Sequence, residues 1–141
     1  MNVSDNTLLD SFTFTNGALT TFTGTGMTGL LALNLSGNKF TSFDGASYTT
    51  SPSLATLNLS SNTLTSFTGT SGLSALTTLN LNSNQLTAFS GTELTSLSSL
   101  TVIDNLISTL QGITSIDSIT ITHNCLLRSS LSTPIITWFD A

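Results

Sequence analysis

The residues of this chain that are able to do chemistry are few, and three of them stand near its end. The single histidine, His123, lies two residues before the single cysteine, Cys125, and Asp104 precedes both. A histidine beside a carboxylate can act as an acid–base pair or bind a metal ion, and a cysteine beside a histidine can act as a nucleophile. Whether these side chains meet depends on the elements that carry them.

Those elements are set by a repeat. The stretch LATLNLSSNTLTSF, residues 54–67, has near-copies in residues 30–43 and 76–89. Alignment gives Leu-x-x-Leu-x-Leu-x-x-Asn-x-Leu-x-x-Phe-x-Gly, and copies with aliphatic or aromatic substitutions extend this pattern over residues 9–126. The chain therefore contains six units, spaced by 19 to 24 residues. One such unit cannot bury its own leucines, whereas a stack of units can.

The repeated pattern predicts where each part of the unit lies. Its Leu-x-Leu centre alternates apolar and polar residues, as a half-buried β-strand does. The asparagine follows the strand, where a carboxamide can bond to buried backbone groups that would each cost about 1–3 kcal/mol without a partner. Stacking the units then predicts one structural ladder of asparagines: Asn38, Asn62, Asn84, Asn105 and Asn124.

The segments that return the chain to the next strand also repeat. A column of Phe22, Phe43, Phe67, Phe89 and Leu110 is predicted to fill the core behind the strands, and the glycine after each is predicted to adopt a turn conformation. Dense Ser, Thr and Gly disfavour a helix in these segments, so we expect 3-10 turns or short extended pieces. The insertion SYTTSPS, residues 47–53, is predicted to be a surface loop that holds the only tyrosine, Tyr48.

The repeat resembles the leucine-rich repeat family, whose signature L-x-x-L-x-L-x-x-N-x-L recurs about every 20–29 residues. Its short returns are similar to those of the bacterial internalin-type subclass. The resemblance implies a curved, right-handed leucine-rich repeat solenoid with a parallel β-sheet on its concave face. It further implies short 3-10 or extended returns on the convex face, and little α-helix apart from a short C-terminal cap.

We expect a single domain over residues 1–141, with an N-terminal edge (1–8), about six repeats (9–126) and a C-terminal cap (127–141). In the cap, Thr133 and Pro134 suit the N-cap and first position of a short helix. The N-terminal edge offers little cover for the first strand, even with Phe12 and Phe14 turned into the core. Either it is a small cap, or the edge meets another chain in a homo-oligomer, or the chain is trimmed.

Partners of repeat proteins of this shape usually bind on the concave sheet. Its outward positions here are small and polar, without the Trp, Tyr and Arg that dominate binding hot spots. The candidate binding face consists of Asn34, Ser36, Asn58, Ser60, Asn80, Asn82, Thr101, Asp104, Thr120 and His123. Asp104 and His123 share a column on adjacent strands and are expected to form a surface pair. Cys125 falls in the turn beyond, so we expect no catalytic, metal or cofactor residue.

Composition excludes several classes of partner. Only 6 % of the residues are charged, and just two of them, Lys39 and Arg128, are basic. The chain therefore cannot form a basic patch, and binding to nucleic acid is not expected. No stretch approaches the roughly 20 apolar residues of a spanning helix, so membrane insertion is not expected. The start shows no signal peptide. One cysteine excludes a disulfide within the chain.

These observations predict a non-catalytic module that binds a protein or carbohydrate ligand and needs no cofactor. The resemblance suggests a secreted or surface-attached bacterial protein, so an extracellular or cell-surface location is expected, with the cytoplasm left open. The alternative is a structural unit that assembles with itself end to end. A more distant alternative is an ice-binding surface, because threonine columns repeat at the strand spacing of about 4.8 Å.

Overall fold

The computed structural model describes residues 1–113 and 116–126. Each repeat contributes one three-residue strand to a parallel sheet. In spatial order its six strands are β1 (Ser11–Thr13), β2 (Ala32–Asn34), β4 (Thr56–Asn58), β6 (Thr78–Asn80), β8 (Ser99–Thr101) and β10 (Ser118–Thr120). The predicted C-terminal cap, with Thr133 and Pro134, lies outside the described residues.

The return segments form two smaller parallel sheets. In one of them β3 (Ser42–Asp44) pairs with β5 (Ser66–Thr68), and in the other β7 (Ala88–Ser90) pairs with β9 (Thr109–Gln111). Helix in the described part of the chain is limited to two 3-10 helices, Gly45–Tyr48 and Thr70–Leu73. The predicted fold class, a parallel-sheet solenoid with short returns and almost no helix, is confirmed.

Equivalent repeat positions lie directly beside each other. Leu33 pairs with Leu57, Leu57 with Leu79, and Leu79 with Leu100. A slip by one residue would turn these leucines to the outer face, so burial of one face determines the register. The alignment of the repeats therefore predicts the strand pairing correctly.

One apolar core runs through all the coils. The leucines of the central strands are at most 1 % exposed, and the phenylalanines of the returns close the core from the other side. The rings of Phe43, Phe67 and Phe89 stack, with centroids 5.7 and 5.9 Å apart. Phe22 and Leu110, at the two ends of this column, are only half-buried.

The glycines after the phenylalanine column do not share one role. Gly69 has φ of 68°, a left-handed conformation that favours glycine, as predicted. Gly45 does not have a positive φ. There a Cβ atom would lie 2.7 Å from the Gly69 carbonyl oxygen, so close packing of adjacent coils excludes a side chain.

The insertion differs from the prediction. Tyr48 ends the first 3-10 helix and is 3 % exposed, and Ser51 is 1 % exposed. The Tyr48 ring stacks on Phe43, with centroids 5.4 Å apart, and so extends the phenylalanine column by one ring. Burying and stacking an aromatic ring is worth more than exposing it. The prediction of a surface loop is therefore wrong for Tyr48 and Ser51, although Pro52 is exposed.

The N-terminal segment covers the return side of the first coil. Asn2 forms a parallel bridge with Thr23, whose backbone bonds to Met1 and Val3. Among the described strands, β1 pairs only with β2. Phe12 is half-buried, but Phe14 is 37 % exposed, so only part of the expected aromatic cover points into the core.

Candidate functional site

The outward side of the six-stranded sheet, predicted to be concave, is called the sheet face below. Its side chains stand in columns because neighbouring strands pair in register. One column contains Ser11, Ala32, Thr56, Thr78, Ser99 and Ser118, and the next contains Thr13, Asn34, Asn58, Asn80, Thr101 and Thr120. In β4, Thr56 is exposed, Leu57 is buried and Asn58 is half-buried, which is the alternation of a one-sided sheet.

The three carboxamides of the second column, those of Asn34, Asn58 and Asn80, are held by hydrogen bonds from the backbone that follows them. Their Oδ1 atoms each accept a hydrogen bond from the backbone N–H two residues on: Ser36 N–H to Asn34 at 3.1 Å, Ser60 N–H to Asn58 at 3.0 Å, and Asn82 N–H to Asn80 at 3.0 Å. The oxygen is thus occupied, whereas the Nδ2 group has no partner among the described residues. The sheet face consequently offers a column of oriented hydrogen-bond donors.

The other predicted face residues lie in the same region. Ser36, Ser60, Asn82, Thr101 and Thr120 are half-buried beside the carboxamide column, and Asp104 and His123 are exposed. Asn82 differs from its equivalents, because its Oδ1 atom accepts a hydrogen bond of 2.8 Å from Ile103 N–H in the next coil. That carboxamide therefore links two coils as well as contributing to the surface.

A feature that the sequence analysis missed is the backbone conformation just before each ladder asparagine. Five residues there have positive φ, namely Gly37, Ser61, Ser83, Asp104 and His123, and so does Asn16, which precedes Gly17 at the equivalent position of the first unit. Non-glycine residues adopt this left-handed region at a cost, and Asn and Asp tolerate it best. Gly37, Asn16 and Asp104 are residue types that tolerate positive φ, and they stand at equivalent positions of the repeat. The sequence therefore contained an indication of this turn. Asp104 and His123 are therefore part of the turn geometry of the repeat.

This turn predicts opposite effects of glycine at two neighbouring serines. Ser61 has φ of 54°, and Ser60 does not have a positive φ. Ser61→Gly relieves a left-handed conformation that costs about 1–2 kcal/mol. Glycine also gives the unfolded chain more conformational freedom, which costs about 0.5–1 kcal/mol on folding, so the net gain is about 0.5–1 kcal/mol. Ser60→Gly has only the entropic loss. Urea unfolding of both variants checks this, and equal destabilisation would contradict the turn geometry.

Asp104 and His123 form a contact across adjacent coils. His123 Nδ1 lies 2.7 Å from Asp104 Oδ1. The side chain of His123 is 67 % exposed and that of Asp104 is 55 % exposed. An exposed pair of this kind contributes about 0–1 kcal/mol to stability. Within residues 1–113 and 116–126, no group of three or more His, Cys, Asp and Glu side chains is placed to hold a metal ion. Cys125 is exposed near this end of the sheet.

The ladder asparagines bond within their own coil and to the coil before it. The Nδ2 group of Asn62 donates to Leu59 O at 3.0 Å and to Leu35 O at 3.1 Å. Its Oδ1 atom accepts from Phe40 N–H at 3.1 Å. Leu35 and Phe40 belong to the preceding coil, so one side chain joins two coils through both its donor and its acceptor.

The same bonding recurs at the other ladder positions. Asn38, Asn84, Asn105 and Asn124 each donate to the preceding coil and each accept from it. The first four ladder asparagines are 5–8 % exposed, and Asn124, in the last described coil, is half-buried. The first unit has Gly17 instead, where a Cβ atom would lie 2.9 Å from Asn38 Oδ1. The ladder thus fixes the spacing of the sheet face from the second coil onwards.

Stacked parallel strands, one shared leucine core and one buried asparagine per coil define a repeat protein of the solenoid class. A family model described as leucine rich repeat matches residues 28–86 and 52–107, which together span more than half of the chain. The chain therefore belongs to the leucine-rich repeat family. The comparison with curated proteins gives no match.

Family membership supports a coarse statement of function. Leucine-rich repeats typically mediate protein binding, and their solenoid is typically non-catalytic. In the described part of the chain, no helix combines the length and apolar character that crossing a membrane requires.

Proposed function

We propose that this chain is a non-catalytic module that binds a protein or carbohydrate partner on the sheet face. The observation that carries the proposal is the column of Asn34, Asn58 and Asn80. In each, the Oδ1 atom accepts a hydrogen bond from the backbone N–H two residues further along the chain. The three Nδ2 donors are therefore held in the same way. Partners rich in hydrogen-bond acceptors, such as peptide carbonyls or sugar hydroxyls, complement such a column.

Rigidity supports this mechanism. A face without large aromatic anchors has to gain affinity from many modest hydrogen bonds, and each bond is worth more when its donor is already ordered. The asparagine ladder lies in the turns that follow the strands of the sheet face and ties each coil to the one before it. The partner then loses freedom on binding, while the repeat module loses little.

A bulky side chain in the middle of the sheet face is expected to weaken binding. Thr78 is exposed at the start of the central strand β6, so Thr78→Arg places a long cation among the donors. Thr68→Arg is the matched control, since Thr68 is exposed in β5 on the return side. The unmodified chain is first screened against a displayed peptide library and an immobilised glycan array. We expect Thr78→Arg to weaken the selected interaction at least about tenfold, equivalent to 1.4 kcal/mol.

The outcome separates the two sides of the solenoid. Thr68→Arg is expected to bind like the unmodified chain, because its side chain lies away from the sheet face. If Thr68→Arg reduced binding and Thr78→Arg did not, the partner would bind on the return side. Absence of any peptide or glycan hit would count against a binding module of this kind.

We also propose that the chain comes from a secreted or surface-attached bacterial protein of the internalin-like subclass. The support is the unit length of 19 to 24 residues and the returns built from extended segments and 3-10 turns. An extracellular or cell-surface location follows from this proposal. The full reading frame of the source gene tests it, since a leader sequence or a surface anchor is then expected.

The second candidate is a structural unit that assembles end to end through β1. It is favoured by the single neighbour of β1 among the described strands and by the exposed Phe14. It is disfavoured by Gly17, which has no carboxamide to bond with a coil added in front. Light scattering over a dilution series distinguishes the two functions. A constant mass of one chain supports the binding module, whereas a mass that rises with concentration supports assembly.

A further inference from the structure

The insertion, residues 47–53, packs Tyr48 into the shared apolar core but makes only one hydrogen bond to another coil among the described residues. The Tyr48 ring packs on Phe43, with centroids 5.4 Å apart. The Thr50 hydroxyl accepts a hydrogen bond of 2.9 Å from Gly26 N–H in the preceding coil. The remaining backbone hydrogen bonds are local: Thr49 N–H donates to Ala46 O at 3.5 Å, Ser51 N–H to Tyr48 O at 2.8 Å, and Leu54 N–H to Ser51 O at 3.2 Å.

Two side chains of the insertion are buried with their polar atoms unsatisfied. The Tyr48 hydroxyl and the Ser51 Oγ atom have no hydrogen-bond partner among the described residues, although Tyr48 is 3 % and Ser51 is 1 % exposed. Such groups lose their hydration without compensation. The ladder asparagines, by contrast, have both donors and acceptors paired. Burial also raises the pKa of the Tyr48 hydroxyl, because desolvation disfavours the charged phenolate.

We propose that residues 47–53 form a strap that opens independently of the coils and exposes Tyr48 in the open form. Opening breaks the Gly26–Thr50 hydrogen bond and the stacking on Phe43, and it returns two hydroxyl groups to water. The strands and the ladder lie outside the strap, so the coils remain stacked when it opens. The open strap presents an aromatic side chain, which is the type that the sheet face lacks.

Hydrogen exchange resolved at single amides tests the strap directly. The amides of Ser51 and Leu54 report on the strap, because both donate to carbonyl oxygens of the strap, Tyr48 O and Ser51 O respectively. The amide of Leu81, which donates to Thr101 O, reports on opening of the coils. In the unmodified chain, Ser51 and Leu54 are expected to exchange at least about 100-fold faster than Leu81, as local openings do relative to global ones. Equal rates for strap and coil amides would overturn the proposal.

Removal of either buried hydroxyl is expected to hold the strap closed. Tyr48→Phe and Ser51→Ala should each slow exchange of the Leu54 amide about tenfold, since the closed form no longer buries an unpaired group. Ser47→Ala is the matched control, because Ser47 is exposed, and it should leave the rate unchanged. Faster exchange in both Tyr48→Phe and Ser51→Ala would mean that the hydroxyls stabilise the closed form, and the proposal would then be wrong.

Discussion

Replacement of Asn62 by alanine is expected to lower the free energy of unfolding by about 2–5 kcal/mol, more than most polar substitutions do. The side chain is 8 % exposed and lies in the middle of the stack. Its removal leaves Phe40 N–H without its partner. It also takes one of two donors from Leu35 O, which still accepts from Asn38, and one of two from Leu59 O, which still accepts from Asn84. The buried Phe40 N–H left unpaired costs about 1–3 kcal/mol, and each hydrogen bond lost from a carbonyl that keeps another donor costs about 0.5–1.5 kcal/mol.

The same chain offers a matched control four residues away. Asn58 is half-buried on the sheet face, and its carboxamide accepts one hydrogen bond, from Ser60 N–H. Asn58→Ala is therefore expected to cost less than about 1 kcal/mol. Urea unfolding followed by circular dichroism compares the two variants. Similar losses for Asn58→Ala and Asn62→Ala would contradict the distinction between surface and ladder asparagines.

Leu59→Ala is expected to destabilise the chain by about 2–5 kcal/mol. Leu59 is 0 % exposed, and leucines of the neighbouring coils surround it in the shared core. Adjacent coils are tied together by the ladder, so they cannot collapse readily into the cavity that the smaller side chain leaves. The lower bound applies if the coils shift, and the upper bound applies if they stay in place.

Two further substitutions check the assignment of faces. Leu31 is 49 % exposed, so Leu31→Ala removes the same atoms from a site that is already half solvated. Ser60 points outward beside Leu59, and Ser60→Ala removes only a hydroxyl group. Each should cost less than about 1 kcal/mol in the same urea experiment. A loss at Ser60 as large as the loss at Leu59 would show that the two faces are inverted.

The strands were predictable from the sequence because two independent constraints agree. Alternation in Leu-x-Leu selects one buried face, and recurrence at 19 to 24 residues places the same face in every unit. The pairing of Leu57 with Leu33 and Leu79 follows from these constraints alone. The ladder was predictable for a similar reason, since a polar residue repeated in a leucine-rich pattern needs buried partners.

The insertion and the turns were harder to predict because they depend on contacts between coils. Tyr48 is in a segment rich in Ser and Thr, which suggests a surface, yet its ring continues the stack that begins at Phe89. The left-handed turn is indicated by the residue types at Asn16, Gly37 and Asp104 but not at Ser61 and Ser83, so it shows only when equivalent positions are compared. The composition of one unit contains neither the stacking partner nor the backbone angle.

The candidate site was predictable as a set of positions but not as a set of donors. Strand alternation places Asn34, Asn58 and Asn80 outward, and the structure shows that their oxygen atoms bond to the following backbone. Which end of a carboxamide faces a partner depends on local hydrogen bonds, and these require coordinates. The contact between Asp104 and His123 followed from the column alignment, because both occupy equivalent turn positions.

The central claim is that one column of asparagines inside the solenoid joins the coils, while a second column faces outward. Hydrogen exchange of the asparagine side-chain amides, measured by NMR, tests it most directly. The Nδ2 protons of Asn62, Asn84 and Asn105 are expected to exchange only when coils separate, because they donate to buried carbonyls. Those of Asn58 and Asn80 are expected to exchange at rates close to those of free asparagine. Rapid exchange at Asn62 and Asn84 would contradict the account.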